Sequence, residues 1–400
     1  MQSTFKAMKV SDHVYWVGAI DWSLRDFHGY LTQRGSTYNA YLVLADKITL
    51  VDTVKAPFAS EMLARIASVV EPEKIQYIVS NHSEMDHSGG LPQAIEAMKP
   101  ERIFASANGA KALAAHFHVD REITTVADAG TIDLGNATLA CFETKMLHWP
   151  DSMISYLAAD RLLFSQDAFG MHLASGERFA DELDPAILES EARKYYANIL
   201  MPLSPLVTKA LERLGKLNVP LKIVAPDHGP IWRQDLGWIT GRYAQWAQQK
   251  RTRKAVIVYD TMWESTAKMA HAIAEGVAAG RAVPAVLKLR ANHRSDIATH
   301  LLDAGALLVG SPTINNTLFP TVADFLAYAR GLKPRNLIGA AFGSYGWSGE
   351  APRQIREALE QMNVELIADD LKAKYVPDAD AYAQCYALGR QVAGKLGMKG

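Results

Sequence analysis

From Lys254 onward the sequence alternates between short apolar strands and helix-length segments. The order is "KAVIVYD", "KMAHAIAEGVAAG", "VPAVLKL", "DIATHLLDAG", "ALLVGS", "VADFLAYARGL", "LIGAAFGS", "APRQIREALEQM", then "VELIA" before a last helix. These strands are apolar along their whole length, not at every second residue, so both of their faces must be covered. A helix after every strand demands parallel crossovers. The pattern therefore predicts a doubly wound parallel sheet of five strands over residues 254–400.

Before that stretch the pattern changes. "VYWVGAI", "YNAYLVLADKITLVDT" and "ATLACFET" read as short strands, separated by helical segments such as "ASEMLARIASVV" and "LPQAIEAM". This half is expected to be a mixed α/β layered domain. The polar, basic run "QQKRTRK", Gln248 to Lys254, follows the helical "WITGRYAQWA" and places the boundary near residue 250. With 400 residues, two domains are expected, 1–250 and 254–400.

Composition narrows the function. The 42 basic and 43 acidic residues leave a net charge of -1, so no global field favours nucleic acid or an anionic membrane surface. A small-molecule or protein partner is expected instead. Cys141 and Cys385 are the two cysteines, which excludes a disulfide framework, a thiolate zinc site and a four-cysteine iron centre. Any metal must be held by nitrogen and oxygen. The N-terminal residues contain no apolar signal-like core and no apolar run reaches membrane-spanning length, so a soluble, cytoplasmic protein is expected.

The stretch "VSNHSEMDHSGGLP" crowds His82, Glu84, Asp86 and His87 into six residues, directly after the apolar "KIQYIVS". Spacings of two, two and one exclude a single helical face and fit a loop curling around a centre. A lone polar turn with a capping role would explain one or two of these residues but not four. Further short strands end in "MLHWPDS", "LLFSQDAFG" and "KIVAPDHGP", which add His148, Asp167 and His228. The three carboxylates suit iron or manganese better than zinc. Their charge of -3 is offset by two divalent ions and one hydroxide, so a redox-active dinuclear centre is electrostatically reasonable.

In the second half, "VYDTMWESTAKMA" offers the hydroxyls of Thr261, Ser265 and Thr266 with backbone amides at a helix N-terminus, a seat for a phosphate. It has neither the lysine and glycines of a triphosphate loop nor a dinucleotide fingerprint, so a terminal monophosphate fits best. Met262, Trp263 and Glu264 complete this loop. Two later loops leave strand ends: "GSPTINNTLFP", with Pro312, Thr313, Ile314, Asn315 and Asn316, and "FGSYGWSGEAP", with Ser344, Tyr345, Gly346, Trp347, Ser348 and Gly349. The asparagines can hydrogen-bond a flat heterocycle and the aromatic rings can stack on it, so the three loops together point to FMN.

The loop positions resemble those of the metallo-β-lactamase superfamily, whose usual first motif is "HxHxDH". Here it reads "HxExDH", with Glu84 in place of the second histidine. A metal domain of this kind joined to a flavodoxin-like domain resembles the flavodiiron proteins over essentially the whole chain. The fold this implies is α/β, an N-terminal metallo-β-lactamase-like αββα sandwich followed by a C-terminal flavodoxin-like doubly wound sheet.

The resemblance further implies that His82, Glu84 and His148 bind one iron, that Asp86, His87 and His228 bind the other, and that Asp167 bridges them. Among the seven, His87 is the position that stays off the metal in some relatives. The implied reaction is reduction of dioxygen to water, of nitric oxide to nitrous oxide, or both, with electrons passing through FMN from rubredoxin or a similar small carrier. A head-to-tail homodimer, or a dimer of dimers, is implied as well. With no cysteine pairs before Gly400, the chain resembles the family's minimal form, which lacks a fused rubredoxin. The alternative is a zinc hydrolase fused to a flavodoxin-like module.

"DFHGY" (Phe27, His28, Tyr30) and "KYYAN" (Tyr195, Tyr196) are expected near the irons, with His28 and Tyr195 as catalytic candidates. His28 and His172 could each equally be packed histidines. Trp149 and Asp151 are expected to support His148, and the Glu264 carboxylate to point away from the phosphate.

Overall fold

In a computed structural model, which describes residues 4–118 and 121–397, period-two burial organises the front half of the chain. The chain separates into two units. The first takes the residues up to His28, Thr32–Tyr195 and Pro205–Ala244, and the second takes Gly29–Leu31, Tyr196–Ser204 and the residues from Gln245.

The first unit stacks two sheets. One is seven-stranded, with β1 (Met8–Lys9), β2 (Val14–Trp16), β3 (Tyr41–Val43), β4 (Thr49–Val51), β5 (Tyr77–Ser80), β6 (Arg102–Ala105) and β7 (Ile123–Thr125) in spatial order. The other is five-stranded, with β8 (Thr131–Asp133), β9 (Thr138–Glu143), β10 (Met153–Leu157), β11 (Leu162–Gln166) and β12 (Ile223–Pro226). Alternate residues of each strand serve different cores. Leu139, Cys141, Met153, Leu157, Leu162 and Phe164 meet Tyr41, Val43, Val51 and Val79 between the sheets. Phe142, Ile154, Tyr156 and Leu163 face outward onto Leu214 and Leu217 of helix Ser204–Leu217. On the opposite outer face, Leu42, Leu50, Ile78 and Ile103 pack on Met62, Ile66, Leu91 and Leu113. Helices thus close both sides, and the αββα sandwich expected from the sequence is present.

The second unit is a parallel sheet of β13 (Lys254–Tyr259), β14 (Val283–Lys288), β15 (Ala306–Gly310), β16 (Ile338–Tyr345), β17 (Glu365–Leu366) and β18 (Leu371–Lys374). Its order is β14-β13-β15-β16-β17, with β18 also paired to β16, so winding reverses between β13 and β15. Ile257 and Leu308 face helices Ser265–Ala279 and Ala379–Gly397, while Val258 and Leu307 face the three remaining helices. Helix Ala379–Gly397 lies very close to its neighbour: a Cβ on Gly389 would stand 2.1 Å from the Ile273 carbonyl oxygen. This is the doubly wound sheet that the apolar strands predict.

Two expected strands are divided. "VYWVGAI" breaks at Gly18, where a Cβ would sit 2.3 Å from the Tyr38 carbonyl, and the chain changes partners so that Ala19–Asp21 pairs with Ser36–Tyr38. "VELIA" supplies only β17. A polar stretch follows, in which Asp370 takes the Arg356 guanidinium at 2.6 Å, and pairing with β16 resumes at β18. Among the described residues no helix is long and apolar enough to cross a membrane.

Phe164 is fully buried between the two sheets. Phe164→Ala should lower stability by about 3–5 kcal/mol. Removing the Lys47–Glu101 pair at the surface should leave stability nearly unchanged, because solvent screens it. Urea denaturation curves of both variants check the contrast.

Candidate metal centre

Four loops, all leaving the carboxyl-terminal ends of strands, bring the seven expected ligands together at one edge of the sandwich. After β5, the Asp52 carboxylate fixes Asn81 through its backbone N–H (2.7 Å) and its side chain (2.8 Å), which sets the direction in which His82 leaves the sheet. Glu84 sits just ahead of a one-turn helix, Met85–Ser88, that carries Asp86 and His87. The expected curling loop is thus half loop and half helical turn. His148 comes from the β9–β10 connection, Asp167 follows β11 and His228 follows β12.

The seven side chains form two groups, His82, Glu84, His148 and Asp167 in one, and Asp86, His87 and His228 in the other. In the first, Glu84 Oε2 lies 3.3 Å from His82 Nε2 and 3.1 Å from His148 Nε2. Asp167 Oδ2 lies 3.4 and 3.1 Å from the same two nitrogens. In the second, His228 Nε2 stands 3.1 Å from Asp86 Oδ2, and His87 Nε2 stands 3.4 Å from Asp86 Oδ1. Asp167 Oδ1 faces this pair, at 3.3 Å from His87 Nε2 and 3.6 Å from His228 Nε2. One carboxylate therefore presents one oxygen to each group, and every imidazole presents Nε2.

The electrostatics fit a cation in each group. Burial opposes charge on the histidines, yet hydrogen bonds to Asp151 and Glu84 push His82 up to about 10. Those to Asp167 and Glu84 push His148 up to about 9. Burial likewise opposes ionisation of Glu84 and Asp167, but the surrounding imidazoles hold both far below the usual carboxylate range. This pattern favours positive charge between the carboxylates, which a bound cation would supply in place of protons. Both Asp86 oxygens and His87 Nε2 are buried with no hydrogen-bond partner among the described residues, as donors to an ion would be. Nitrogen and carboxylate donors in this number suit two iron or manganese ions.

The surroundings hold the ligands in place. His82 Nδ1 lies 3.2 Å from Asp151 Oδ2, which also accepts from Ser83 N–H at 2.6 Å; Asp151 therefore backs His82, not His148 as the sequence suggested. Trp149 packs edge-on to both His82 and His148. His228 Nδ1 donates to the Thr37 carbonyl at 2.6 Å. The Gln166 amide donates to Asp167 Oδ2 at 2.6 Å and the Tyr195 hydroxyl to Asp167 Oδ1 at 3.1 Å. His28 Nε2 stands 3.3 Å from Glu84 Oε1, with its side chain 74% exposed. His172 is buried beside His228 and accepts or donates through Ser36 Oγ at 2.8 Å; burial and the neighbouring His228 hold it neutral. Phe27 packs against both His28 and His172. Tyr30 is buried. Tyr196, expected near the metals beside Tyr195, turns the other way, to Ser204 Oγ at 3.2 Å and the Trp246 ring. The residues after a strand are legible from sequence, whereas supports such as Thr37, Ser36 and Gln166 carry no local signal.

In the second unit, Met262, Trp263, Ser265, Pro312, Thr313, Asn315, Asn316, Ser344, Tyr345, Gly346, Trp347 and Ser348 line a cavity of ≈320 Å³ at the strand ends. Tyr375, which follows β18, joins them and was missed because that strand was not foreseen. Thr261, Glu264, Thr266, Ile314 and Gly349 are not in its wall. Thr266 Oγ1 bonds Ser344 Oγ at 2.9 Å and ties the first loop to the third. Thr261 Oγ1 is buried with no hydrogen-bond partner among the described residues, consistent with a group that awaits a phosphate oxygen. Trp263 and Trp347 are 89% and 87% exposed, leaving their faces free for a planar ligand. Glu264 is exposed and 3.4 Å from Lys288 Nζ, with φ of 63°. Glycine would adopt that left-handed conformation without strain.

Comparison with known proteins agrees with both halves. A profile described as "ODP family beta lactamase" matches residues 37–229, and one described as "Flavodoxin" matches residues 257–389. The chain is 45% identical over 391 residues to a nitric oxide reductase of Moorella thermoacetica, covering 97% of this chain and 98% of that one. A solved rubredoxin oxygen:oxidoreductase from Desulfovibrio gigas is similar with a TM-score of 0.96 at 45% identity, covering 98% of each chain. A flavodiiron protein from Giardia intestinalis is similar with a TM-score of 0.94 at 32% identity, covering 99% of this chain and 98% of that one.

Ferrous iron added anaerobically to metal-stripped protein, at a free concentration near 100 times its Kd, should stabilise the fold by about 2.7 kcal/mol per bound ion. Asp167→Ala should lose most of that gain, because both groups share this carboxylate. Thermal melts with and without metal measure the difference.

Proposed function

The chain belongs to the flavodiiron proteins, and from that premise we propose that it is an oxidoreductase that reduces dioxygen to water, nitric oxide to nitrous oxide, or both. The reaction runs at a non-haem di-iron centre, with electrons relayed through FMN from an external donor. The observation that carries this reading is the carboxylate content of the site: Glu84 in one group and Asp167 dividing its oxygens between both. That donor set argues against the zinc-hydrolase alternative.

His82, Glu84 and His148 are assigned to one iron, Asp86, His87 and His228 to the other, and Asp167 to both. Two irons held by these residues would supply the reducing electrons for a diatomic gas. The protein supplies position and protons. Each dioxygen consumes four electrons and four protons; each pair of nitric oxides consumes two of each. His28 is assigned as the proton donor: Nε2 reaches Glu84 Oε1 while the ring contacts solvent, from which it can be reprotonated. Tyr195 is assigned to holding Asp167. Burial and the Asp167 charge push its hydroxyl well up, so it stays a donor to Oδ1.

In the second unit, Thr261, Ser265 and Thr266 are assigned to the FMN phosphate. Met262, Glu264, the stretch Pro312–Asn316 and the stretch Ser344–Gly349 are assigned to the rest of the flavin site, with Trp263, Tyr345 and Trp347 available to stack on its ring. Residues 1–250 are taken as the iron module and 254–400 as the flavin module. The electron donor is assigned as rubredoxin or a similar small carrier, as the name of the Desulfovibrio gigas relative supports. We assign a head-to-tail homodimer or a dimer of dimers, the symmetric assembly most often built from one repeated contact. A cytoplasmic location is supported by two cysteines that are both free and buried.

Metal analysis with an optical spectrum should find about two irons and one FMN per chain, whereas zinc without a flavin band would sink the proposal. Anaerobic stopped-flow mixing of the reduced protein with each gas then ranks the substrates. His28→Gln should lower turnover about 100-fold at unchanged iron content. Glu84→His should shift loading toward zinc and abolish reduction; retained gas turnover would show that Glu84 has been misassigned.

A further inference from the structure

The imidazoles at this centre differ in what stands behind them. His82 Nδ1 has the Asp151 carboxylate at 3.2 Å, and His228 Nδ1 has the Thr37 carbonyl at 2.6 Å. His87 Nδ1 is buried with no hydrogen-bond partner among the described residues. The same is true of both carboxyl oxygens of Asp227, whose Oδ2 lies 3.8 Å from that nitrogen. A buried donor and a buried acceptor are thus left side by side, short of contact by about 1 Å. Orphans of this kind are rare and call for an explanation.

Both groups stand on pinned backbone. Asp227 N–H donates to the Gln166 carbonyl at 2.9 Å, and the Asp227 carbonyl accepts from Asn39 N–H at 2.8 Å. The His87 carbonyl accepts from Thr53 N–H at 2.8 Å and from Thr53 Oγ1 at 2.7 Å. Only a small side-chain adjustment is needed to join the pair.

We propose that Asp227 is the positioning residue that makes His87 a metal ligand, by taking the hydrogen on Nδ1 and leaving Nε2 bare toward the ion shared with Asp86 and His228. A ligand histidine oriented from behind by a carboxyl oxygen is fixed in tautomer and in ring plane, and is a stronger donor. With Nδ1 unsupported, the tautomer that puts hydrogen on Nε2 competes, and that tautomer does not bind metal. In this chain the ligation of His87 rests on the carboxyl behind it. The inference depends on the dinuclear reading above.

The test is anaerobic cobalt(II) titration of the full-length, metal-stripped protein, which follows two successive equivalents by their visible bands. Asp227→Leu, which keeps bulk but removes the acceptor, should weaken the second equivalent by about 10–100-fold and leave the first unchanged. Asp227→Asn, which keeps an acceptor oxygen, should restore most of that affinity. In a His87→Ala background Asp227→Leu should have no further effect. Unchanged second-site affinity in Asp227→Leu would overturn the proposal while leaving the dinuclear reading intact. So would a loss that persists without His87, which would mean that Asp227 acts through its neighbour His228 or through the fold. A wild-type protein that binds fewer than two equivalents would overturn both.

Discussion

Seven buried or nearly buried histidine, aspartate and glutamate side chains, three of them carboxylates, meet within a few ångströms of one another, and the rest of the first unit is arranged around the cost of keeping them there. Like charges at such range in a low-dielectric interior repel strongly unless cations or protons lie between them. The structure answers with imidazoles set against the carboxylates, and Asp167 turns one oxygen toward the imidazoles of each group. Two ions in place of the shared protons would convert a strained cluster into a set of bonds.

The geometry that permits this comes from the sheets. Parallel and antiparallel pairings send β5, β9, β11 and β12 to one edge, so that residues far apart in sequence leave the sandwich side by side. The second unit uses the same device with different chemistry, presenting loops after β13, β15, β16 and β18 to one cavity. In both units rigid strands carry precision and the loops carry function.

Features that lie on one short stretch were readable in the sequence. The cluster from His82 to His87 announced itself by density, and the apolar strands after Lys254 announced a covered sheet because no other arrangement buries both of their faces. What could not be read depends on how distant segments fold onto each other. Asp227 looks like an ordinary turn residue beside His228, yet it stands behind His87. Tyr195 and Tyr196 are adjacent and equally aromatic, but a helix turns neighbours about 100° apart, and only one reaches Asp167. Tyr375 was hidden because the polar residues that interrupt the fifth strand conceal its resumption at β18.

Strands β9, β10 and β11 each feed two separate cores from alternate residues. Gaining or losing one residue in such a strand would exchange its inward and outward sets and spoil both cores at once. Change in length is therefore barred from the strands and left to the connections between them, which is where the clustered histidines and carboxylates sit. The scaffold thus separates what must stay fixed in register from what is free to be rewritten. Glu84 sits on such a loop, where one side chain can be exchanged for another without disturbing the frame.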